Sequence, residues 1–504
     1  MGAYPACITH VIAAVLAVSL TAPASAEAPL SIIDWLDTED SQAAPTDPPV
    51  TETALQPDIE VRPLDTPDSP VGLVPPSVTG LPLDLWERSE ASTVTRLIRT
   101  APATGHPALQ SLLYSLLLTE ARGIKGDRSL LLARIDRLLD LGAIEPAKAL
   151  VEAAGPATSP DLFARWADMA FLTGDEDDIC AALEQKPHLA PNRETLIFCV
   201  ARRGDLNAGT LLFETSLALG DLNEEIAPAL DRFLHPELFE EAAPLPLPRA
   251  PSPLTFRLFE AIGERLPTAP LPRRFAAADL RDVAGWKAQI EAAERLARTG
   301  AISSNTLLGI YTERLPAASG GVWDRVAALQ RLETAIQTGS ADAVAKTLPN
   351  AWTRMRRAGL DVPFADLFAE ELAQIPLPAG LAQDRALELA LLSPDYEALS
   401  RGFEPSAPAQ AFWIAVAQGD VSAAPARSAL EEAIADGFRA SPALPDPSGA
   451  DRLGETILRA IVLFDRGADG NLDDLSTALV MLRAIGLEDV ARRAALQVLI
   501  RQEG

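Results

Sequence analysis

From Leu81 onward, apolar residues return with helical spacing in short blocks punctuated by glycine and proline. Leu130, Leu131, Ile135, Leu138 and Leu139 share one face, with Asp127 placed to cap that helix and Gly142 to close it. Pro107, after His106, suits the first turn of a helix predicted over 108–122. Ser159-Pro160 couples an N-cap residue to proline at the first helical position, and Leu162, Phe163, Trp166, Met169 and Ala170 then form one stripe. Ala and Leu dominate and β-branched runs are short, so the pattern predicts an all-α fold.

One punctuation mark recurs: Gly174-Asp175, Gly204-Asp205, Gly220-Asp221 and Gly419-Asp420, with Gly339-Ser340 a variant. Glycine can end one helix in the left-handed conformation while the next residue caps the following one, giving a tight turn between antiparallel helices. Residues 141–150 and 485–494 echo each other, each reading as a helix end, a glycine, an acidic first turn and an alanine-rich helix. Gly142, Gly174 and Gly204 recur at roughly the period of a helix pair. On these marks the chain resembles the tetratricopeptide-like and related α-solenoid superfamily over roughly 125–235 and, more loosely, 283–502. The resemblance implies an irregular α-solenoid of antiparallel helix pairs; the consensus aromatics and closing proline do not recur in register. The competing expectation is an irregular helical bundle.

Two stretches break the pattern. Residues 37–80 hold nine prolines, nine acidic residues, one base (Arg62) and no aromatic, which predicts a disordered, extended linker. Residues 243–254 hold five prolines, either a hinge between two helical lobes (81–242 and 255–504) or a strap across one structure. A smaller break at 441–450 precedes the last three helices.

The amino terminus reads as an export signal (1–26). Val11–Leu20 is apolar except for Ser19, and Ala24-Ser25-Ala26 offers the small-x-small cleavage pattern, although no Lys or Arg precedes the run. Ten apolar residues are about half of what a bilayer span needs. The only cysteine before the cut is Cys7, so lipid anchoring is not expected, and the expected location is the periplasm. Within 27–36, Asp34 stands three residues after Ser31 as in a capping box, and Ile32, Ile33, Trp35 and Leu36 crowd one turn. This reads as a short docking motif for another protein, or as a staple onto the protein's own helices.

A net charge of −27 disfavours nucleic acid and anionic membrane surfaces as partners. No apolar run after the signal is long enough to span a membrane. Cys180 and Cys199 lie level across a predicted helix pair, so a structural disulfide is expected, with two free buried thiols as the alternative. Closing that loop would stabilise the fold by roughly 3 kcal/mol in the chain-entropy view.

Catalytic chemistry has little to stand on. His106, His188 and His235 each adjoin a proline at a helix boundary, and no metal-protease, nucleophile-elbow, phosphate-loop or dinucleotide motif occurs. Asp465, Asp469, Gly470, Leu472 and Asp473 resemble a calcium loop, but Gly467 takes a ligand position and Ser476 replaces the bidentate Glu, leaving a polar inter-helix loop. Trp286, Trp323, Trp352 and Trp413 read as core. Residues 317–325 could present an anion-friendly helix start or simply a flexible one. No cofactor, metal or catalytic residue is expected. The reading is a non-catalytic periplasmic interaction scaffold of a cell-envelope assembly, with other envelope proteins as partners. The alternative is an enzyme, or a helical accessory part of a wall-remodelling system, with a carboxylate-based site.

Overall fold

The chain was described from a computed structural model, which covers residues 70–102, 105–124 and 127–502. They form 24 α-helices and no strand, and no helix among them is long and apolar enough to cross a membrane. The export signal, the Ile32, Ile33, Trp35 and Leu36 motif and most of the acidic linker lie outside the described residues.

Local signals place many helix ends. Ser159 caps Pro160–Thr173 by accepting from Leu162 N at 3.3 Å, and Asn192 caps Arg193–Arg202 through Thr195 N at 2.8 Å. The predicted face of Ser129–Leu141 is buried except at Leu131, and Gly142 closes the helix at φ +85°. The five punctuating glycines all take positive φ, which a side chain would resist. Their partners diverge. Asp205 caps Leu206–Leu219 through Ala208 N at 3.0 Å, and Ser340 caps Ala341–Arg357 through Ala343 N at 3.3 Å. Asp175 instead accepts from Lys148 Nζ and Thr173 Oγ1, at 2.7 and 2.8 Å. After Asp221 and Asp420 the next helices start only at Ala227 and Ala429.

Two boundary expectations are corrected together. The helix from Pro107 stops at Leu118 rather than near Arg122, and the linker does not extend to residue 80. Residues 70–74 run extended beside 118–121: Val71 N donates to Ala121 O at 3.1 Å and Glu120 N to Val74 O at 2.8 Å. The buried Arg134 guanidinium then donates to Leu117 O, Thr119 O and Val71 O, so one cation satisfies carbonyls from both segments. Valines that look like linker in a Pro-rich context thus gain backbone partners, which offsets their ordering.

Of the hinge and strap alternatives for 243–254, the contacts favour the strap, because one apolar core runs through both 81–242 and 255–502. The proline-rich segment is a strap: Leu245 N donates to Glu264 Oε2 at 2.7 Å and Arg249 N to Glu225 Oε1 at 2.8 Å. Beyond it, Pro253–Ala261 packs on Pro160–Thr173, and Arg257 Nε reaches the fully buried Glu176 at 2.9 Å.

Most helices pack on sequence neighbours, as helix pairs do, but the first helices also meet the last. Ala91–Thr100 lies on Leu453–Ala468, and Pro107–Leu118 lies on Glu488–Gln502. Ala108 N donates to Gln497 Oε1 across 389 positions at 3.0 Å. Trp86, 1% exposed, sits against Gly454, where an added Cβ would lie 2.4 Å from the ring.

Candidate functional site

Pro107–Leu118, the turn after Trp286–Ala297, the start of Asp361–Ala373 and the last helix converge around a cleft of about 760 Å³. That volume is in the range that holds a small organic ligand. Its walls carry Pro107, Tyr114, Ile302, Val362 and Pro363, and its charges are Arg298, Arg356, Arg493 and Arg501 against Asp361 and Asp366.

Arg298, Arg356 and Arg501 are placed by helix ends, and Arg493 by the body of Glu488–Gln502. Arg298 and Arg356 occupy helix C-termini, where a cation complements the dipole, and left-handed glycines follow at Gly300 and Gly359. Thr299 Oγ1 donates to Leu141 O at 2.7 Å and pins the first of these turns to the amino-terminal half. Arg356 Nη2 donates to Ile500 O at 2.7 Å and Arg501 O at 3.0 Å, so its charge rests on neutral carbonyls. Arg501 and Asp361 form a two-armed ion pair at 3.1 and 3.4 Å. Arg493 Nη1 stands 3.9 Å from Asp489 Oδ2, beyond hydrogen-bond reach, and its buried Nε has no partner. Tyr114 Oη is likewise buried without one. Each such orphan costs about 1–3 kcal/mol unless something else satisfies it.

Burial is the main influence on the titrating groups in and near the cleft. Burial, and then the Arg501 charge, lower His106 to a pKa of about 4, against an opposing pull from Asp469. Burial also raises the Tyr114 hydroxyl, with Arg273 and Arg137 working against it. Arg295 is lowered by burial and then by the charges of Arg273 and Arg298. This crowding of guanidinium groups falls inside a chain of net charge −27.

Other sequence candidates lie elsewhere. Helices Glu176–Gln185 and Arg193–Arg202 bring Cys180 and Cys199 to disulfide distance, with Cα atoms 4.8 Å apart. Asp469 and Gly470 form the turn into Leu472–Ala484, which Asn471 caps through Asp474 N. At the 317–325 turn, Asp324 already accepts from Gly320 N at 2.9 Å, so the helix start holds its own carboxylate. Trp286, Trp352 and Trp413 are buried, while Trp323 is half-buried and packs on Trp286.

No family model, curated protein or solved structure matches the chain. Sequence reasoning singled out none of the four cleft arginines. The available signal was weak: Arg298-Thr-Gly300 and Arg356-Arg-Ala-Gly359 each set an arginine just before a helix-ending glycine.

A second surface stands out by its apolar exposure. Four of the five leucines of Leu206–Leu219 face solvent, including Leu211 at 66% and Leu219 at 69%, while Gly209, Phe213 and Ser216 make the buried face. Gly209 lies within 3.3 Å, by an added Cβ, of Ala201 and Leu234, so the inner face is fully committed to its neighbours.

Proposed function

We propose that the protein is an exported, non-catalytic interaction scaffold of the cell envelope, presenting helix surfaces to other envelope proteins. The observation that carries this reading is the set of four exposed leucines, Leu206, Leu211, Leu217 and Leu219, on the one helix Leu206–Leu219. In an ordinary surface helix the outward positions are polar, because exposed leucine gains nothing from water. Grouped exposed apolar residues on one element mark a surface used for contact. The cysteine pair at disulfide distance supports an oxidising compartment, and the small-x-small site before Glu27 supports export to it. The helix pairs from Ser129 to Leu234 fit an irregular α-solenoid used as a display surface. Ile32, Ile33, Trp35 and Leu36 offer a second contact point for a partner.

Photocrosslinking from position 211 in intact envelopes tests the reading. The expected result is a discrete adduct that disappears when Leu217 and Leu219 are changed to Asp, with the helical spectrum unchanged. Amino-terminal sequencing of periplasmic protein should begin near Glu27. Uncleaved protein confined to the cytoplasm, or no adduct from the leucine face, overturns it.

A further inference from the structure

Four arginines and two aspartates line the 760 Å³ cleft, and Arg298 is already paired with Glu294 behind the lining, at 3.2 Å. Asp361 is taken by Arg501, and Arg356 is turned onto the Ile500 and Arg501 carbonyls. That leaves Arg493 with a carboxylate too distant for a hydrogen bond and a buried Nε that nothing accepts from. Asp489, its nearest acid, is already engaged by the Tyr396 hydroxyl at 3.0 Å. A guanidinium that lines a cleft without a hydrogen-bonded carboxylate can take a planar or tetrahedral oxyanion in forked geometry. The remaining walls are largely apolar, at Pro107, Ile302, Val362 and Pro363, so the occupant carries an apolar body behind its charged group.

We propose that this cleft is a binding site for a small organic anion whose carboxylate or phosphate group pairs with Arg493 and whose apolar body lies against the proline-lined wall. The site draws on the first, middle and last helices at once, so occupancy joins segments that are distant in sequence. It does not depend on the scaffold reading and would exist in a protein with any surface role.

Calorimetric titration of the full exported chain with phenyl phosphate and with phenylacetate tests the site and distinguishes the two headgroups. Inorganic phosphate serves as the headgroup-only control and benzyl alcohol as the body-only control, all at matched ionic strength. One of the two aromatic anions should saturate at one per chain and bind at least about tenfold more tightly than either control. Arg493→Gln should weaken that binding by at least about tenfold, the fold expected when a charge-assisted pair is lost. Ser111→Trp, at an exposed residue lining the cleft, should block binding by bulk with all four arginines kept. Arg493→Gln is interpreted only with an unchanged helical spectrum, and Ser111→Trp decides the question if Arg493→Gln does not fold. Absence of saturable binding by either aromatic anion, or equal binding by the native chain and both variants, overturns the proposal.

Discussion

The disulfide-bearing hairpin of Glu176–Arg202 and the seam where described helices far apart in sequence meet are built from the same kinds of helix, yet by opposite means. In the hairpin the clamp and the cap are near neighbours in sequence: Cys180 and Cys199 are 19 positions apart, and Asn192 caps the helix it precedes, although the buried Glu176 takes Arg257 from outside. In the seam, Ala108 pairs with Gln497, Thr299 with Leu141 and Arg356 with Ile500, at separations of 389, 158 and 144 positions. A locally closed unit has little loop entropy to overcome and carries its own covalent clamp, whereas the long-range contacts rest on packing and hydrogen bonds with no covalent link. Functional candidates follow the same division, because the cleft exists only where the distant segments converge.

The largest effect should therefore come from the seam. Trp86→Ala removes a fully buried ring seated on Gly454 and leaves a cavity between Trp86's segment and Leu453–Ala468. Large-to-small changes of this kind cost about 4 kcal/mol. Urea denaturation should show that loss, with hydrogen exchange accelerated around 91–100 and 453–468 rather than in the hairpin. A loss below about 1 kcal/mol would mean that the seam yields and repacks, a behaviour expected only of loosely filled contacts.

Replacing both Cys180 and Cys199 by Ser should cost somewhat less, about 3 kcal/mol, from the released loop entropy. The faster exchange should stay within 176–202. In the native chain both thiols should resist alkylation until reduction. Ready labelling without reductant would remove the covalent clamp from the comparison and leave the hairpin held by burial alone.

This contrast also explains what could be read from residues. The helices, the level cysteines, the Ser159 and Asn192 caps and the closing glycines follow from rules a few residues long. The pairing of 70–74 with 118–121 does not, since it depends on Arg134 arriving from a third segment to satisfy both sets of carbonyls. The strap at 243–254 could be recognised as extended but not as pinned, because Glu225 and Glu264 lie outside it. The cleft arginines were invisible for a similar reason: at a helix end, an arginine before a glycine ordinarily answers the dipole, and only tertiary convergence sets Arg298, Arg356, Arg493 and Arg501 around one space.

Acid should separate the two regions by sign. Burial raises Asp168, on the helix that packs against the hairpin, to a pKa of about 6, with Arg274 and Arg165 opposing and Asp136 adding to the rise. Its folded value exceeds the unfolded one, so its favourable contribution is complete below about pH 4 and is lost as pH rises through 6. His106, in the seam, runs the other way. Its folded pKa of about 4 lies below the ordinary 6.5, so its contribution is present above 6.5 and is lost as pH falls through 4. Asp168→Asn should therefore raise stability at pH 7 by about 2 kcal/mol, with the gain fading toward pH 4. Denaturation series at pH 7 and pH 4 measure it, and proton resonances of the His106 ring should titrate near 4. A gain from Asp168→Asn that is equal at both pH values would mean the carboxyl is not penalised by burial.

The smallest effect tests the local rules themselves, where the hairpin side gives two copies of one sequence mark. Gly204-Asp205 and Gly220-Asp221 both place a left-handed glycine before an aspartate. Only Asp205 is followed at once by a helix, and its carboxylate accepts from Ala208 N at 3.0 Å, satisfying a donor the helix cannot serve itself. After Asp221 the chain continues through a non-helical stretch to Ala227, and Asn223, not Asp221, accepts from a following amide, that of Glu225 at 2.8 Å. Asp205→Ala should cost about 1 kcal/mol, the usual worth of an N-cap. Asp221→Ala should change stability by no more than about 0.5 kcal/mol, as substitutions away from such features do. Paired urea titrations resolve that difference. Equal losses would mean that the aspartate acts through the negative charge it sets beside the turn, and the glycine-aspartate mark would then report electrostatics rather than capping.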